Sequence, residues 1–297
     1  QAIRLRRGPA ELRRYSPCET VRPLVAAYYF LESAGPFADF TPPEHAHIRF
    51  AIDGKWLLED IKGAHQTEPA KASLFGPSDR ARRFTTDGGL VMGFELTPTG
   101  WLTLIGGNAS TFANTVLPLG RQLGISGPEI HRRLAGASGD LARVAILDAI
   151  LSQQPASRGA YCALAERVQD AIRSGMVDHV ADLANRLGID HRRLLRVCSS
   201  AFGFPPVRLL RRQRLLRTLD RIRRGGDQPL GQLIDATYYD QAHFNREFKA
   251  HMGMTPGTYL EALRKGADRA MEVRQPMRRA LFTGSGRSAQ ATEYGMH

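Results

Sequence analysis

Cysteine is scarce in this chain: Cys18, Cys162 and Cys198 lie far apart and are odd in number. They offer no zinc spacing and no disulfide framework, which excludes a stapled scaffold and fits a reducing cytoplasm. Long apolar runs are missing too. None approaches the roughly 20 residues that span a bilayer. The Arg-studded start (Arg4, Arg6, Arg7) is not followed by the apolar core of a signal segment, and the opening Gln1 in place of Met is read as trimming or as the cut edge of an expressed piece. Acid is in short supply, with 29 Asp and Glu against 41 Lys and Arg, a formal net charge of +12. That balance favours polyanions, either nucleic acid or an anionic surface. No phosphate loop, nucleophile–base pair or methyl-acceptor cysteine motif is evident. No catalytic residue, cofactor or metal is therefore assigned.

What is present suffices for two ordinary domains. The chain has 297 residues with 42% hydrophobic content, enough for buried cores. The positive charge is uneven. Positions 176–265 hold 16 Lys and Arg against 9 Asp and Glu, a net +7 in under a third of the chain.

Within that stretch one motif occurs twice. Leu194-x-Arg196-x-Cys198 is followed by Gly203-Phe204-Pro205-Pro206. Phe244-x-Arg246-x-Phe248 is followed by Gly253-Met254-Thr255-Pro256, and each shared member stands 50 positions after its counterpart. Two copies of one small helical reader at fixed spacing suit a long regular polymer, and DNA is the obvious one.

The first hundred residues read mostly as short strands. Ile48–Ile52 ends at the turn signal Asp53-Gly54, with Trp56–Ile61 as the expected return strand. Ala72–Gly76 and Leu90–Leu96 look like further strands, and such spacing suggests a barrel or sandwich. Trp101–Ile105 is expected as a short helix, and Ile125–Leu134 and Leu141–Leu151 as amphipathic helices. Gln153-Gln154-Pro155-Ala156-Ser157 marks the domain boundary. Beyond it come helices at Ala160–Ser174, Val177–Leu187, His191–Ala201, Val207–Arg223 (ending at Gly225-Gly226), Leu230–Ala236, Gln241–His251 and Pro256–Leu263. The tail from Gly266 is polar and reads as flexible.

The first copy has the grammar of a helix-turn-helix. Val180, Leu183, Ala184 and Leu187 share one helix face. Gly188 follows the helix end, where positive φ is often needed, and Asp190 is a good N-cap for the next helix. Leu194, Cys198 and Ala201 then face the core, leaving Arg192, Arg193, Arg196 and Ser199 outward. In the second copy Phe244 and Phe248 face inward, and Gln241, Ala242, Asn245, Arg246 and Lys249 outward. Arg suits guanine, Gln and Asn suit adenine, and any of these can hold phosphate instead. His243 could bond backbone or phosphate. Arg208, Arg211, Arg212 and Arg214 of the intervening helix could touch the DNA backbone or form a solvated face.

A family resemblance now becomes visible. Gly188-Ile189-Asp190, Leu194-x-Arg196, Gly203-Phe204-x-Pro206, Arg214-Leu215, Tyr238-Tyr239-Asp240-Gln241-Ala242-His243-Phe244-x-Arg246-Glu247-Phe248-Lys249, Gly253-Met254-Thr255-Pro256 and Tyr259 resemble the AraC/XylS family of bacterial transcription regulators. The resemblance covers roughly Ala160 to Leu263. It implies two helix-turn-helix units bridged by one long helix, each placing a helix in successive major-groove faces. It also implies promoter activation or repression, often under small-molecule control. Two departures stand out. Leu233 and Thr237 occupy the places of a small Ala and a turn Gly in the second unit. A bulky Leu pushes helices apart, and Thr in a left-handed turn costs about 1 kcal/mol against Gly. Cys198 stands where an aromatic is usual.

The N-terminal half more weakly resembles the cupin-like regulatory domains that precede such DNA-binding domains, through Gly93-Phe94-Glu95-Leu96-Thr97-Pro98-Thr99-Gly100 and Leu104-Ile105-Gly106. Such domains sense a ligand, dimerise, or both. His45-Ala46-His47 is a conceivable metal pair, but the usual Glu a few residues later is missing. Trp56, Phe75, Phe94 and Trp101 are either pocket or core.

The resulting expectation is an α+β chain of two domains. Residues 1–155 form a cupin-like β-barrel with following helices that regulates or dimerises. Residues 158–264 form an all-α, AraC-type DNA-binding domain, and 265–297 a flexible tail. The function is sequence-specific transcription regulation in the cytoplasm, without enzymatic activity. The partner is double-stranded DNA, with RNA polymerase, a small-molecule effector and a second copy of the chain as candidates and no membrane. Two rivals remain: a cupin-type metalloenzyme carrying a DNA-targeting domain, and an architectural DNA binder with little sequence preference.

Overall fold

The computed structural model describes residues 3–7, 9–59, 66–154, 159–224, 228, 230–235 and 237–264. The expected tail (265–297), the Pro155-Ala156-Ser157 part of the boundary and Gly225-Gly226 lie outside the described residues.

The N-terminal region is β-rich. In chain order its strands are β1 (Ile3–Arg7), β2 (Ala10–Tyr15), β3 (Val25–Ser33), β4 (Phe37–Thr41), β5 (His47–Ala51), β6 (Trp56–Glu59), β7 (Gln66–Thr67), β8 (Ala72–Phe75), β9 (Arg82–Thr86), β10 (Gly89–Leu96) and β11 (Val116–Pro118). They form two sheets, ordered β1-β2-β3-β10-β5-β8-β11 and β4-β9-β6-β7. Every pairing described is antiparallel.

Period-two alternation gives the larger sheet two buried faces. Tyr28, Phe30, Ile48, Phe50, Leu74, Met92 and Phe94 point one way, into the largest core. That core is closed by the π-helix Trp101–Ile105, which follows the short turn α1 (Pro98–Gly100), and by α2 (Gly127–Ala135) and α3 (Asp140–Ser152). The alternate residues of the same strands face the smaller sheet. There Ala10, Leu12 and Leu31 pack with Trp56 and Phe84.

The expected hairpin at Asp53-Gly54 does not form. β5 pairs with β10 and β8, whereas β6 belongs to the other sheet and pairs with β9 and β7. The turn carries the chain from one sheet to the other. Asp53 N–H and C=O both bond Leu90. Gly54, at φ 75°, lies so close to Gly88 that an added Cβ would sit 1.9 Å from its carbonyl oxygen. A turn signal read locally reports the reversal, not the partner strand.

The C-terminal region is helical: α4 (Ala160–Arg173), α5 (Val180–Leu187), α6 (His191–Phe202), α7 (Pro206–Arg224), α8 (Leu230–Leu233), α9 (Gln241–Met252) and α10 (Pro256–Arg264). It has two cores. One lies among α4, α5, α6 and the start of α7, and the other among the rest of α7, α8, α9 and α10. Each takes in residues of the N-terminal region. Leu102 packs against both the first of these cores and the sheet core, while Ala81 and Phe40 pack in the second. No described helix is long and apolar enough to cross a membrane.

Candidate nucleic-acid interface

The sequence repeat is also a structural repeat. α6 and α9 each run 12 residues and start 50 positions apart. Asp190 caps α6 by accepting the Arg193 N–H at 2.8 Å, and Asp240 caps α9 by accepting the His243 N–H at 2.6 Å. Such a cap satisfies one of the orphan amides of the first turn and contributes about 1 kcal/mol. The bond to the Arg193 amide also holds the Asp190 carboxyl below the usual carboxylate range. Both helices end at a left-handed glycine, Gly203 at φ 81° and Gly253 at φ 73°.

The inward faces match the expected pattern. Leu194, Val197, Cys198, Ala201 and Phe202 are buried on α6, and Phe244, Phe248 and Met252 on α9. Burial among apolar groups pushes the Cys198 thiol up to about 12. The outward set follows from the same periodicity. Arg192, Arg193, Arg196, Gln241, Ala242, Asn245, Arg246 and Lys249 are all exposed, and Ser199 is half-buried. The helices thus display five cationic side chains and two side-chain amides to solvent.

The two turns differ. α5 ends at Gly188, φ 67°, whose amide and that of Ile189 close onto Asn185 and Ala184. In the second unit α8 is only four residues long, and Thr237 stands where the first unit has Gly188. Asp235 builds this turn instead. Its Oδ1 accepts both Thr237 N–H (3.1 Å) and Thr237 Oγ1–H (2.6 Å). Its own N–H donates to Thr218 of α7 (3.3 Å), and its carboxylate meets Arg217 (3.0 Å) and Arg221 (3.5 Å). Burial works to raise the Asp235 pKa, but the bonds from Thr237 and Arg217 outweigh it and the net shift is downward. The turn is thereby fastened to α7 without a glycine, and Leu233 is simply buried in the second core.

Two of the α7 arginines need correction as backbone contacts. Arg212 and Arg214 are buried. Arg214 lies over the Tyr238 ring at 5.2 Å, and Arg212 reaches the Glu44 carbonyl at 3.4 Å. Arg208 pairs with Asp79 at 2.9 Å, and Arg211 approaches Glu247 at 3.9 Å; both remain half-exposed. His243 is engaged within its own helix, with Nε2 3.4 Å from Glu247 and its ring edge-on to Tyr238.

Sequence reasoning missed the junction that holds both units. Residues 77–82 of the N-terminal region run between them. Asp79 accepts from Arg208 of α7 and from Asn114, and its carbonyl accepts from His251 Nδ1 near the end of α9. Ala81 N–H returns a bond to the His251 carbonyl at 2.7 Å. At the end of α6, an added Cβ on Gly203 would lie 2.3 Å from Pro77 Cγ. Thr99 donates to Glu166 of α4 at 2.8 Å. Residues 77–82 carry no local motif.

His45 and His47 do not converge on one point. His45 precedes β5 and packs beside Phe202 of α6, with ring centroids 6.2 Å apart. His47 faces the space between the sheets, bonded to Tyr29 through Nδ1. No group of three or more His, Cys, Asp or Glu among the described residues could hold a metal ion.

Residues 183–262 match a family model described as a helix-turn-helix domain. Solved structures give further similarities. ToxT from Vibrio cholerae is 12% identical, covering 78% of this chain and 97% of its own, with a TM-score of 0.42. The AraC-like transcriptional activator CuxR is 16% identical over 70% of this chain and 79% of its own, with a TM-score of 0.31. An oxalate decarboxylase from Bacillus subtilis overlaps 32% of this chain and 28% of its own at 13% identity and a TM-score of 0.26. No curated protein matches. The helical region carries a helix-turn-helix domain. That domain marks the helical region as a DNA-binding unit of the kind used in transcription regulation.

Proposed function

We propose that the protein reads a bipartite operator, with α5–α6 and α8–α9 as two helix-turn-helix units joined by α7. The observation that carries this reading is the paired presentation of α6 and α9: same length, same Asp cap, same glycine end, and polar outward faces on both. Arg192, Arg193, Arg196 and Ser199 would address one major-groove segment, and Gln241, Ala242, Asn245, Arg246 and Lys249 the next, about one helical turn away. Residues 158–264 are the DNA-binding domain, and 1–155 a cupin-like regulatory domain that senses a small molecule, dimerises, or both. The contacts from Asp79, Pro77 and Glu44 to the helices give such a domain a physical route to α6, α7 and α9. RNA polymerase is the partner expected at a promoter, and a chromosomal target places the protein in a bacterial cytoplasm.

The test is selection of genomic fragments by the purified full chain at moderate salt, followed by sequencing. One enriched motif with two half-elements is expected. Salt-sensitive binding without enrichment, with and without a cell extract as a source of effector, would favour the architectural reading.

A further inference from the structure

Between the two sheets of the N-terminal region lies a cavity of about 130 Å³. One end is apolar, walled by Leu12, Leu31, Trp56, Leu58 and Phe84. The other end is polar and ordered. Arg49 Nε donates to Tyr29 Oη at 2.7 Å, and its guanidinium pairs with Glu44 while lying 4.2 Å over Phe75. His47 bridges the same two partners, 3.2 Å from Tyr29 Oη and 3.3 Å from Glu44. Gly93 leaves room for this network, because a Cβ there would lie 2.6 Å from Tyr29 Oη.

The charges lining the cavity are balanced: Arg14, Arg49 and Lys71 against Glu44, Glu68 and Glu95. Glu95 attracts Arg14 and, from outside the wall, Arg173; Glu44 likewise attracts Arg49 and Arg82. Two of the three carboxylates, Glu44 and Glu95, are therefore each matched by a guanidinium of the cavity wall. An anionic ligand would have to displace one of them and leave it buried among apolar groups, and a cation would have to displace a guanidinium. An uncharged head group separates no pair, since a guanidinium has five N–H donors and a carboxylate about four acceptor positions. In size, an apolar cavity of about 150 Å³ accepts one benzene ring.

Glu44 also faces the helices. Its carbonyl accepts from Ser78 N–H (2.9 Å) and from Arg212 of α7 (3.4 Å), and its N–H donates to Ser78 Oγ (3.2 Å). Its neighbour His45 lies against Phe202 of α6. Ser78 adjoins Asp79, which holds Arg208 and His251.

We propose that this cavity binds an uncharged molecule of about one ring, its apolar body on Trp56 and Phe84 and its hydroxyl or amide on Arg49, Glu44 and Tyr29, and that Glu44 relays occupancy to α7. The relay rests on the regulatory reading above; the binding site does not.

The test uses the full chain and three probes of one size: benzamide, benzoate and benzylammonium. Trp56 fluorescence and the thermal midpoint report binding. Benzamide should bind at least about tenfold more tightly than either ion. Glu44→Gln leaves Arg49 without its counter-charge and should reverse the order in favour of benzoate. Ala27→Leu fills the cavity and should abolish binding without lowering the midpoint. A wild-type preference for either ion overturns the ligand class, and no binding by any probe at millimolar concentration overturns the site. These two results do not depend on the Glu44 variant folding. For the relay, benzamide should change affinity for selected DNA in the wild type and not in Arg212→Ala. Unchanged DNA affinity on probe binding sinks the relay alone. A chain that binds probe but selects no DNA sinks the operator reading and leaves the site standing.

Discussion

Two helix-ending glycines allow one perturbation to be measured against a control. Gly188 and Gly203 are both left-handed, at φ 67° and 81°. A Cβ at Gly188 meets nothing within 4 Å, whereas at Gly203 it would lie 2.3 Å from Pro77 Cγ and 3.1 Å from the Ala109 carbonyl. Gly188→Ala should therefore cost only the left-handed conformation, about 1 kcal/mol. Gly203→Ala should cost that plus the overpacking of a filled site, about 1–3 kcal/mol more. Urea denaturation of the two variants measures the difference. Because the clash is with one side chain, adding Pro77→Ala to Gly203→Ala should recover part of the loss. The double-mutant cycle should then show a coupling energy above about 0.5 kcal/mol. Equal losses at Gly188 and Gly203, or a cycle that closes at zero, would refute the close packing of α6 on the 77–82 segment.

Further predictions concern the reading faces, the second turn and the thiols. Arg196→Ala or Arg246→Ala should weaken DNA binding by about 1–3 kcal/mol and relax preference at one operator position; a uniform loss across sequences would assign that side chain to phosphate. Asp235→Asn keeps an acceptor for Thr237 but loses the ion pairs to Arg217 and Arg221, and should cost about 1.5–3 kcal/mol in denaturant melts at neutral pH. The Asp235 pKa is depressed in the folded state, so its contribution is present above the unfolded carboxylate range and fades as pH falls through the folded value. The gap between wild type and Asp235→Asn should accordingly narrow in acid, and a constant gap down to low pH would contradict the assignment. In native labelling with iodoacetamide near pH 8, Cys18 should react first. Buried Cys162 and Cys198 should react only on unfolding, and fast labelling of Cys198 would contradict its place in the core.

What was legible in the sequence was what local chemistry dictates. Asp190 and Gly188 announce a cap and a stop because each acts on amides a few residues away, and α6 and α9 fall where those signals put them. The outward set of both helices follows from 3.6-residue periodicity alone. Strand partners were not legible. Asp53-Gly54 signals a reversal, but whether β6 returns to β5 or joins another sheet is decided by Gly88, Gly89 and Leu90, some 35 residues away. The burial of Arg212 and Arg214 was equally hidden, since a basic helix looks alike whether its cations meet solvent, Tyr238 or a distant carbonyl. The second turn shows a middle case. Thr237 correctly warned of a departure, but its remedy through Asp235 needs Thr218, Arg217 and Arg221 from another helix.

Leu102 touches both the sheet core and the core of the first helical unit, while Ala81 and Phe40 sit in the core of the second. A severed helical half would carry two apolar scars, one per unit, where those side chains had been. Heat or denaturant must open these shared seams before either half can melt by its own curve. The seams therefore couple the stability of the N-terminal region to that of the helical units, and any signal that loosens them acts on both readers at once.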